Sequence, residues 1–480
     1  MSGNKRPYSG NSGRPGAPRR FDHRPTPARK SAPVVEGLPA RRVALSVLRD
    51  VTENGAYASL SLDKHLTGSG LNPADRRLAA RLTYDTIERL LTIDHALSQV
   101  MAKPDTDIKL RNVLRLGACQ ILMEDRIPDS AATNTAVALC KEIGMEGLAG
   151  VCNGILRNLV RQKDALRWPD ETAEPVKARA VRYSTPEWLV ARLTADWGEE
   201  TADALMKPGQ QAGYITVRPN MTRLDDAAFD ALLDKKVWQK EPGRVPHARR
   251  ISGMADVARD ADFLAGQFSI QGESSMLACM AVAPRRGTQV LDACAAPGGK
   301  ACLLAEMMGG TGRVQAWELH EHRTALIAAQ ARRLGLENIR PITRDASKHR
   351  EELDGTMDAV LLDAPCSGLG VMADKPDVKY RVTEESVAEL TALQAQLLDA
   401  VAPYVKEGGT LVYSTCSVLK AENVAQVEAF LARHPEFERV PLSESIPAEL
   451  RAREAVGLQL MPHLDGVGGF YICRMRRKRS

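Results

Sequence analysis

Between Gln289 and Thr415 the chain repeats one pattern five times: a short apolar run, a polar or glycine-bearing break, then residues at helical spacing. QVLD, RVQAWE, NIRPITRD, MDAVLLD and GGTLVYST are the runs. Strands that alternate with helices predict a parallel sheet covered on both faces, because a parallel connection must cross back over the sheet. Ligands of such sheets bind beyond the carboxyl ends of the strands. The residues that end each run are therefore the ones to read for chemistry.

After the first run comes Cys294-Ala295-Ala296-Pro297-Gly298-Gly299-Lys300. Two consecutive glycines let a backbone approach a ligand closely. The stretch is neither GxxxxGK[ST] nor GxGxxG, so a P-loop and the dinucleotide fingerprint are both excluded. Glu318 ends the second run, nineteen residues after Gly299, where an acid can accept both ribose hydroxyls of a nucleoside. Asp345 follows the third run and can meet an adenine edge; Asp363 ends the fourth. This glycine loop followed by three strand-end acids resembles the Rossmann-like S-adenosylmethionine methyltransferases, which implies S-adenosylmethionine as cofactor.

The fourth and fifth runs lead into cysteines, Cys366 in LLDAPCSGLG and Cys416 in LVYSTCS. Neighbouring strands would bring the two thiols side by side. A disulfide and inert buried thiols are the plain alternatives. Carbon 5 of a pyrimidine is a poor nucleophile until a thiolate adds to carbon 6, after which carbon 5 can attack a methyl group. An acid near ring N3, such as Asp363, would assist the addition, and a second thiol can help proton removal or release. Lys379 is a candidate for stabilising the thiolate. The target base must leave its stack to enter the pocket.

Residues 39–165 read as a helical bundle. Asn72 and Pro73 suit the start of a helix. Leu110, Val113, Leu114, Gly117, Ala118 and Ile121 make one apolar stripe. Cys119, Cys140 and Cys152 fit as packing residues in these helices, as do Cys279, Cys302 and Cys473 farther on. Residues 166–186 read as a linker, 187–265 as a small α+β unit and 266–480 as the catalytic domain. Residues 1–38 are basic, rich in Pro, Gly and Ser, and expected to be a disordered tail, either a solubilising extension or an arm that contacts RNA phosphates. Nine scattered cysteines without CxxC pairs or histidines at ligand spacing indicate a reducing, cytoplasmic setting and no metal site. No run of 18 or more apolar residues is present, so no membrane span is expected.

Two family resemblances bear on these readings. ARRVALSVLRDV, LRLGACQILMEDRIPDSAATNTAVALCKEIG and VCNGILRNL resemble the NusB family of RNA-binding bundles. LDACAAPGGK, LLDAPCSGLGV, PDVKY and LVYSTCSVLKAEN resemble the RNA cytosine-5 methyltransferases of the NOL1/NOP2/Sun group. The resemblance implies Cys416 as the nucleophile and Cys366 as the thiol that assists release; DNA cytosine methyltransferases carry only the Pro-Cys thiol. It also implies cofactor contacts from Cys294 through Lys300 and from Glu318, Asp345 and Asp363, and an RNA-contacting role for 187–265. Together the resemblances imply 16S rRNA as the partner, with a cytosine of the position-967 type as target; a monomer is expected. The same chemistry on tRNA or 23S rRNA, or a non-catalytic antitermination factor, are the rival functions.

Overall fold

The computed structural model describes Gly3 and residues 36–103, 105–209, 213–253 and 257–479. The expected tail, apart from Gly3 and residues 36–38, lies outside the described residues.

Seven helices form the N-terminal bundle: α1 (Leu38–Asn54), α2 (Ala58–Leu66), α3 (Pro73–Glu88), α4 (Leu90–Val100), α5 (Ile108–Met123), α6 (Asp129–Glu142) and α7 (Ala149–Gln162). The Asn72 side chain accepts from the Asp75 amide and Pro73 opens α3. The α5 stripe is buried along its length. Gly117 permits its close contact with α7, because a Cβ there would meet Leu156 at 2.7 Å. Cys119, Cys140 and Cys152 are fully buried in this core, alongside Leu114, Leu139 and Leu156.

The stretch expected as a linker contains a helix, α8 (Pro175–Tyr183), and is followed by α9 (Glu187–Trp197) and α10 (Glu199–Met206). Ala180, Leu189, Val190 and Leu193 of these helices share a core with Leu369, Met372, Val418 and Leu419. Helices α8 and α9 thus lie against the two cysteine loops. This packing is the physical reason that 166–186 is ordered: its apolar side chains have a partner that sequence separation hides.

The small unit holds β1 (Ile215–Pro219), α11 (Asp226–Leu233), β2 (Gln239–Pro242), β3 (Arg249–Ser252), the short α12 (Ala261–Leu264) and β4 (Phe268–Ile270). Its sheet is antiparallel in the order β2-β3-β1-β4. It therefore runs past residue 265, the boundary expected from sequence. Val217, Phe229, Ile251 and Phe268 fill its core. Arg218 of β1 reaches outward to a glutamate of the next domain, where both side chains are fully buried and 2.6 Å apart.

The large domain alternates as the periodicity predicts. After α13 (Glu273–Val282) come β5 (Gln289–Asp292), α14 (Gly299–Met307), β6 (Arg313–Glu318), α15 (Glu321–Leu334), β7 (Ile339–Thr343) and β8 (Met357–Asp363). Then follow α16 (Val378–Arg381), α17 (Glu384–Val401), β9 (Val405–Thr415), α18 (Val424–Arg433), β10 (Phe437–Arg439), β11 (Leu458–Leu460) and β12 (Phe470–Arg477). The main order is β10-β12-β9-β8-β5-β6-β7, with β11 paired to β12. β5 to β9 are mutually parallel, and β12 runs antiparallel beside β9.

Successive strand residues point to opposite faces, and the two cores divide accordingly. Val290, Leu361 and Val412 face α13, α14 and α15; Leu291, Val360, Leu362 and Leu411 face α17 and α18. The architecture is a Rossmann-like α/β sheet preceded by an all-α bundle and a small α+β unit. No helix among the described residues is long and apolar enough to cross a membrane.

Candidate active site

The register of β8 and β9 sets Asp363 directly beside Ser414. Both strands stop there, and each chain leaves through a cysteine loop. Gly370 joins the two loops: its N–H donates to the Cys416 carbonyl at 2.9 Å, and its carbonyl accepts from Gly469 at 2.8 Å. A Cβ on Gly370 would strike the Gly469 oxygen at 2.0 Å, so only glycine admits this approach. The two sulfurs end 3.3 Å apart, both as free thiols.

A cavity of about 440 Å³ opens in front of them. Cys366, Cys416, Asp363, Glu318, Asp345, Cys294 and Ala296 all border it. The rest of the glycine stretch forms the turn behind. Gly298 has φ 111°, a left-handed backbone, and a Cβ on it would crowd Ile327 at 3.1 Å. Its N–H closes the turn on the Ala295 carbonyl at 2.7 Å. Ala295 is buried, Pro297 is exposed, and Gly299 starts α14.

Lys300 turns toward the thiols. Its Nζ lies 2.6 Å from Asp363 Oδ2, while Asp363 Oδ1 accepts from the Ser414 hydroxyl at 2.7 Å. Burial works against a charged Lys300, yet Asp363 outweighs it and raises the lysine above its ordinary value. Asp292, fully buried at the end of β5, is pushed up to about 7 by burial and by the nearby Asp363.

The thiols differ in their surroundings. The hydrogen bond shared with Cys366 holds Cys416 below the usual thiol value against the opposing effect of burial; Lys300 and Lys375 add to the lowering. Cys366 is raised well above that value by the same hydrogen bond, by burial and by the carboxylates Glu422 and Asp363. Two adjacent thiolates would repel each other, which favours a single ionised sulfur at a time. Cys294 also borders the cavity, but burial pushes its thiol up, so it stays protonated.

The acids occupy distinct positions. Glu318 Oε1 accepts from the His320 amide at 3.1 Å and from Arg323 at 3.2 Å. Asp345 accepts from the amide and hydroxyl of Ser347, which holds it below the usual carboxylate value. A strand-end carboxylate beside a glycine turn is the acceptor that ribose hydroxyls need, so these residues fit an adenosyl cofactor.

Lys379 lies elsewhere. It is buried, and its Nζ donates to the carbonyls of Glu88 at 3.0 Å and Tyr183 at 3.2 Å, the last residues of α3 and α8. The stabilisation of a thiolate expected of it is not available from there. Its apolar surroundings and two helix ends claim it instead.

Several functional neighbours escaped the sequence reading. Arg323 and Arg344 border the cavity from beyond the second and third strands, with Leu393 and Leu397 from α17. Nothing in their local sequence marks them. Ser367, Ser417 and Glu422 lie behind the thiols, and here a signal existed: both loops read Cys-Ser-x-Leu.

Comparison with known proteins gives three family matches along the chain. Residues 279–476 match the family described as 16S rRNA methyltransferase RsmB/F, residues 38–161 the NusB family, and residues 185–258 the RsmF/B-like ferredoxin-like domain. The probable ribosomal RNA small subunit methyltransferase B of Bacillus subtilis is 36% identical, over 91% of this chain and 98% of its own length. Its namesake in Shewanella oneidensis is 31% identical over the same shares. A crystal structure of a methyltransferase homolog protein from Pyrococcus horikoshii superposes with a TM-score of 0.54 at 26% identity, over 64% of this chain and 99% of that one. Identity at this level along nearly the whole length places the chain in the ribosomal RNA small subunit methyltransferase B family.

Proposed function

We propose that this RNA methyltransferase moves the methyl group of S-adenosylmethionine to carbon 5 of a cytosine in 16S rRNA, of the position-967 type. The observation that carries the reading is the pair of free thiols 3.3 Å apart at the ends of adjacent parallel strands, facing a cavity bordered by strand-end carboxylates. S-adenosylmethionine, when bound, supplies a methyl group made electrophilic by its sulfonium.

Cys416 is the nucleophile. Its thiolate forms a bond to carbon 6 of the cytosine, and the ring electrons displaced by that bond make carbon 5 nucleophilic. Asp363, with Lys300 beside it, holds a proton at ring N3 as the thiolate adds. Once carbon 5 is methylated, a base such as a water molecule takes its proton, and the electron pair of that C–H bond restores the ring double bond. The carbon 6–sulfur bond breaks in the same step. Cys366, still protonated, assists this release. Glu318 takes the ribose hydroxyls of the cofactor, Asp345 its adenine edge, and Cys294 through Lys300 form the turn beneath it. The bundle and the small unit bind RNA around the site. The setting is the cytoplasm and the working form is a monomer.

The test is a covalent trap. Cys366→Ala and Cys416→Ala are each incubated with 16S rRNA and S-adenosylmethionine, then denatured. A protein–RNA band from Cys366→Ala alone is expected. A band from Cys416→Ala alone would exchange the two roles. Absence of any band, with no methyl incorporation by the unmodified protein, would remove 16S rRNA as the substrate. Binding of S-adenosylmethionine, measured by calorimetry, is expected of the unmodified protein and of both variants.

A further inference from the structure

The two cysteine loops share more than a residue pattern. In Cys366-Ser367-Gly368-Leu369 and in Cys416-Ser417-Val418-Leu419, the serine hydroxyl accepts from the leucine amide two residues on, at 3.4 and 3.1 Å. Both hydroxyls then donate to the same atom, Glu422 Oε2, each at 2.5 Å. Glu422 Oε1 accepts from the Ser367 amide at 2.8 Å and from Gln394 Nε2 at 3.1 Å. Gln394 also donates to the Pro365 carbonyl, and the Tyr413 hydroxyl donates to the Glu422 carbonyl at 2.7 Å. Glu422 is fully buried. Every group aimed at its carboxyl oxygens is an N–H or O–H, so the pocket is built for a carboxylate acceptor.

We propose that Glu422 is a positioning residue: its carboxylate binds the two Cys-Ser turns to one point, fixing the sulfur spacing and keeping the proton on Cys366. The function of the thiols is taken from the reading above; the bracket itself is not. Two consequences follow from its placement. The spacing of the sulfurs depends on one atom, because Ser367 and Ser417 meet on Oε2 and lie 3.1 Å from each other. The sharing of charge is uneven, because Glu422 binds the Cys366 loop through both amide and hydroxyl but the Cys416 loop through a hydroxyl alone. Around Cys366 the charged or titratable groups are Glu422, Asp363 and Tyr413. Around Cys416 they are Asp363, Lys300 and Lys375. A negative charge behind one sulfur and positive charges before the other favour a thiolate on Cys416.

Thiol reactivity in the full chain tests this without RNA or methyl donor. Iodoacetamide labelling is followed by peptide mass analysis from pH 6 to 9, alongside the rate at which diamide joins Cys366 to Cys416. In the unmodified protein Cys416 is expected to label about tenfold faster than Cys366 at neutral pH, because the thiolate is the reactive form. Glu422→Gln keeps the volume but removes the charge and an acceptor. It should cut that ratio at least about fivefold and slow disulfide formation about threefold, while S-adenosylmethionine binding is unchanged. Methylation by Glu422→Gln should lose about tenfold in kcat with KM for the methyl donor held. A folded Glu422→Gln with labelling ratio, pH profile and disulfide rate like the unmodified protein overturns the proposal. If Glu422→Gln does not fold, Ser367→Ala and Ser417→Ala decide: each removes one strap, and unchanged disulfide rates in both would equally overturn it. Failure of the unmodified protein to methylate any rRNA would count against the proposed function, and the labelling ratio would still decide on Glu422.

Discussion

Lys300, partly buried, and Lys379, buried, lie in two regions of the molecule and come to opposite ends. Beside the thiols, Lys300 meets a carboxylate at 2.6 Å and is raised above its ordinary value, although burial pulls the other way. Where the catalytic domain meets the bundle, Lys379 meets only carbonyls. Burial lowers it to about 7, with Glu88 opposing weakly. Burial is common to both; a full opposite charge is not. The first lysine is a fixed positive charge for chemistry. The second belongs to a mechanical joint, in which Tyr380 donates to the Glu88 and Ser184 carbonyls, Asp377 accepts from the first turn of α2 and Arg381 stacks on Tyr57 at 3.7 Å.

The largest expected effect breaks the comparison at Lys300. Lys300→Met leaves Asp363 facing the thiols uncompensated. Methyl transfer should fall about 10²- to 10³-fold, as when a preorganised charge is removed from an active site. Cys416 labelling at neutral pH should fall with it. Lys379→Met should leave that labelling unchanged, and a matching loss would erase the distinction between the two regions.

Next comes stability at the joint. Lys379→Met should cost about 1–3 kcal/mol in denaturant unfolding, through two lost helix-end bonds. The pH dependence has a definite sign. A lysine lowered on folding binds fewer protons in the folded state than in the unfolded one. Its contribution to stability therefore rises as pH climbs from about 7 toward the ordinary 10.5. The deficit of Lys379→Met should accordingly be larger at pH 9 than at pH 6. A deficit that stays level from pH 6 to pH 9 would mean the ammonium is charged where it lies. Tyr380→Phe, at the same joint, should cost about 1 kcal/mol with little pH dependence, read from the same unfolding curves. The smallest effect is the surface reference. Arg42 pairs with Glu142 in the open, with the arginine side chain 55% exposed, and Arg42→Ala should change stability by no more than about 0.5 kcal/mol.

How much the sequence disclosed depended on range. The five parallel strands were legible because each carries a short apolar stretch that stops at a polar or glycine-bearing break before a helical pattern. The α5 stripe and the Asn72 cap were legible because helical spacing and capping act within a few residues. The three C-terminal strands were not. β12 reads FYICRMRR, where arginines at alternate positions blur the apolar face, and its burial depends on lying between β9 and β10. The packing of α8 and α9 on the cysteine loops was invisible for a similar reason: Val418 accepts from the Trp197 indole across more than two hundred residues. Lys379 shows the hazard in reverse. It was a candidate for stabilising the thiolate, and the three-dimensional path sends it to two helix ends instead.

The buried pair of Arg218 and Glu306 bears on how a substrate enters. Glu306 sits on α14, the helix that begins at the glycine turn, and also accepts from the Met221 amide. Swinging the small unit away would strip each charge of its partner inside the protein, at a cost of about 3–5 kcal/mol. The small unit and the cofactor turn therefore behave as one mould, with no jaw between them. Any reshaping needed to seat a nucleotide falls to the RNA, whose strand must bend to present its base to a cleft already set.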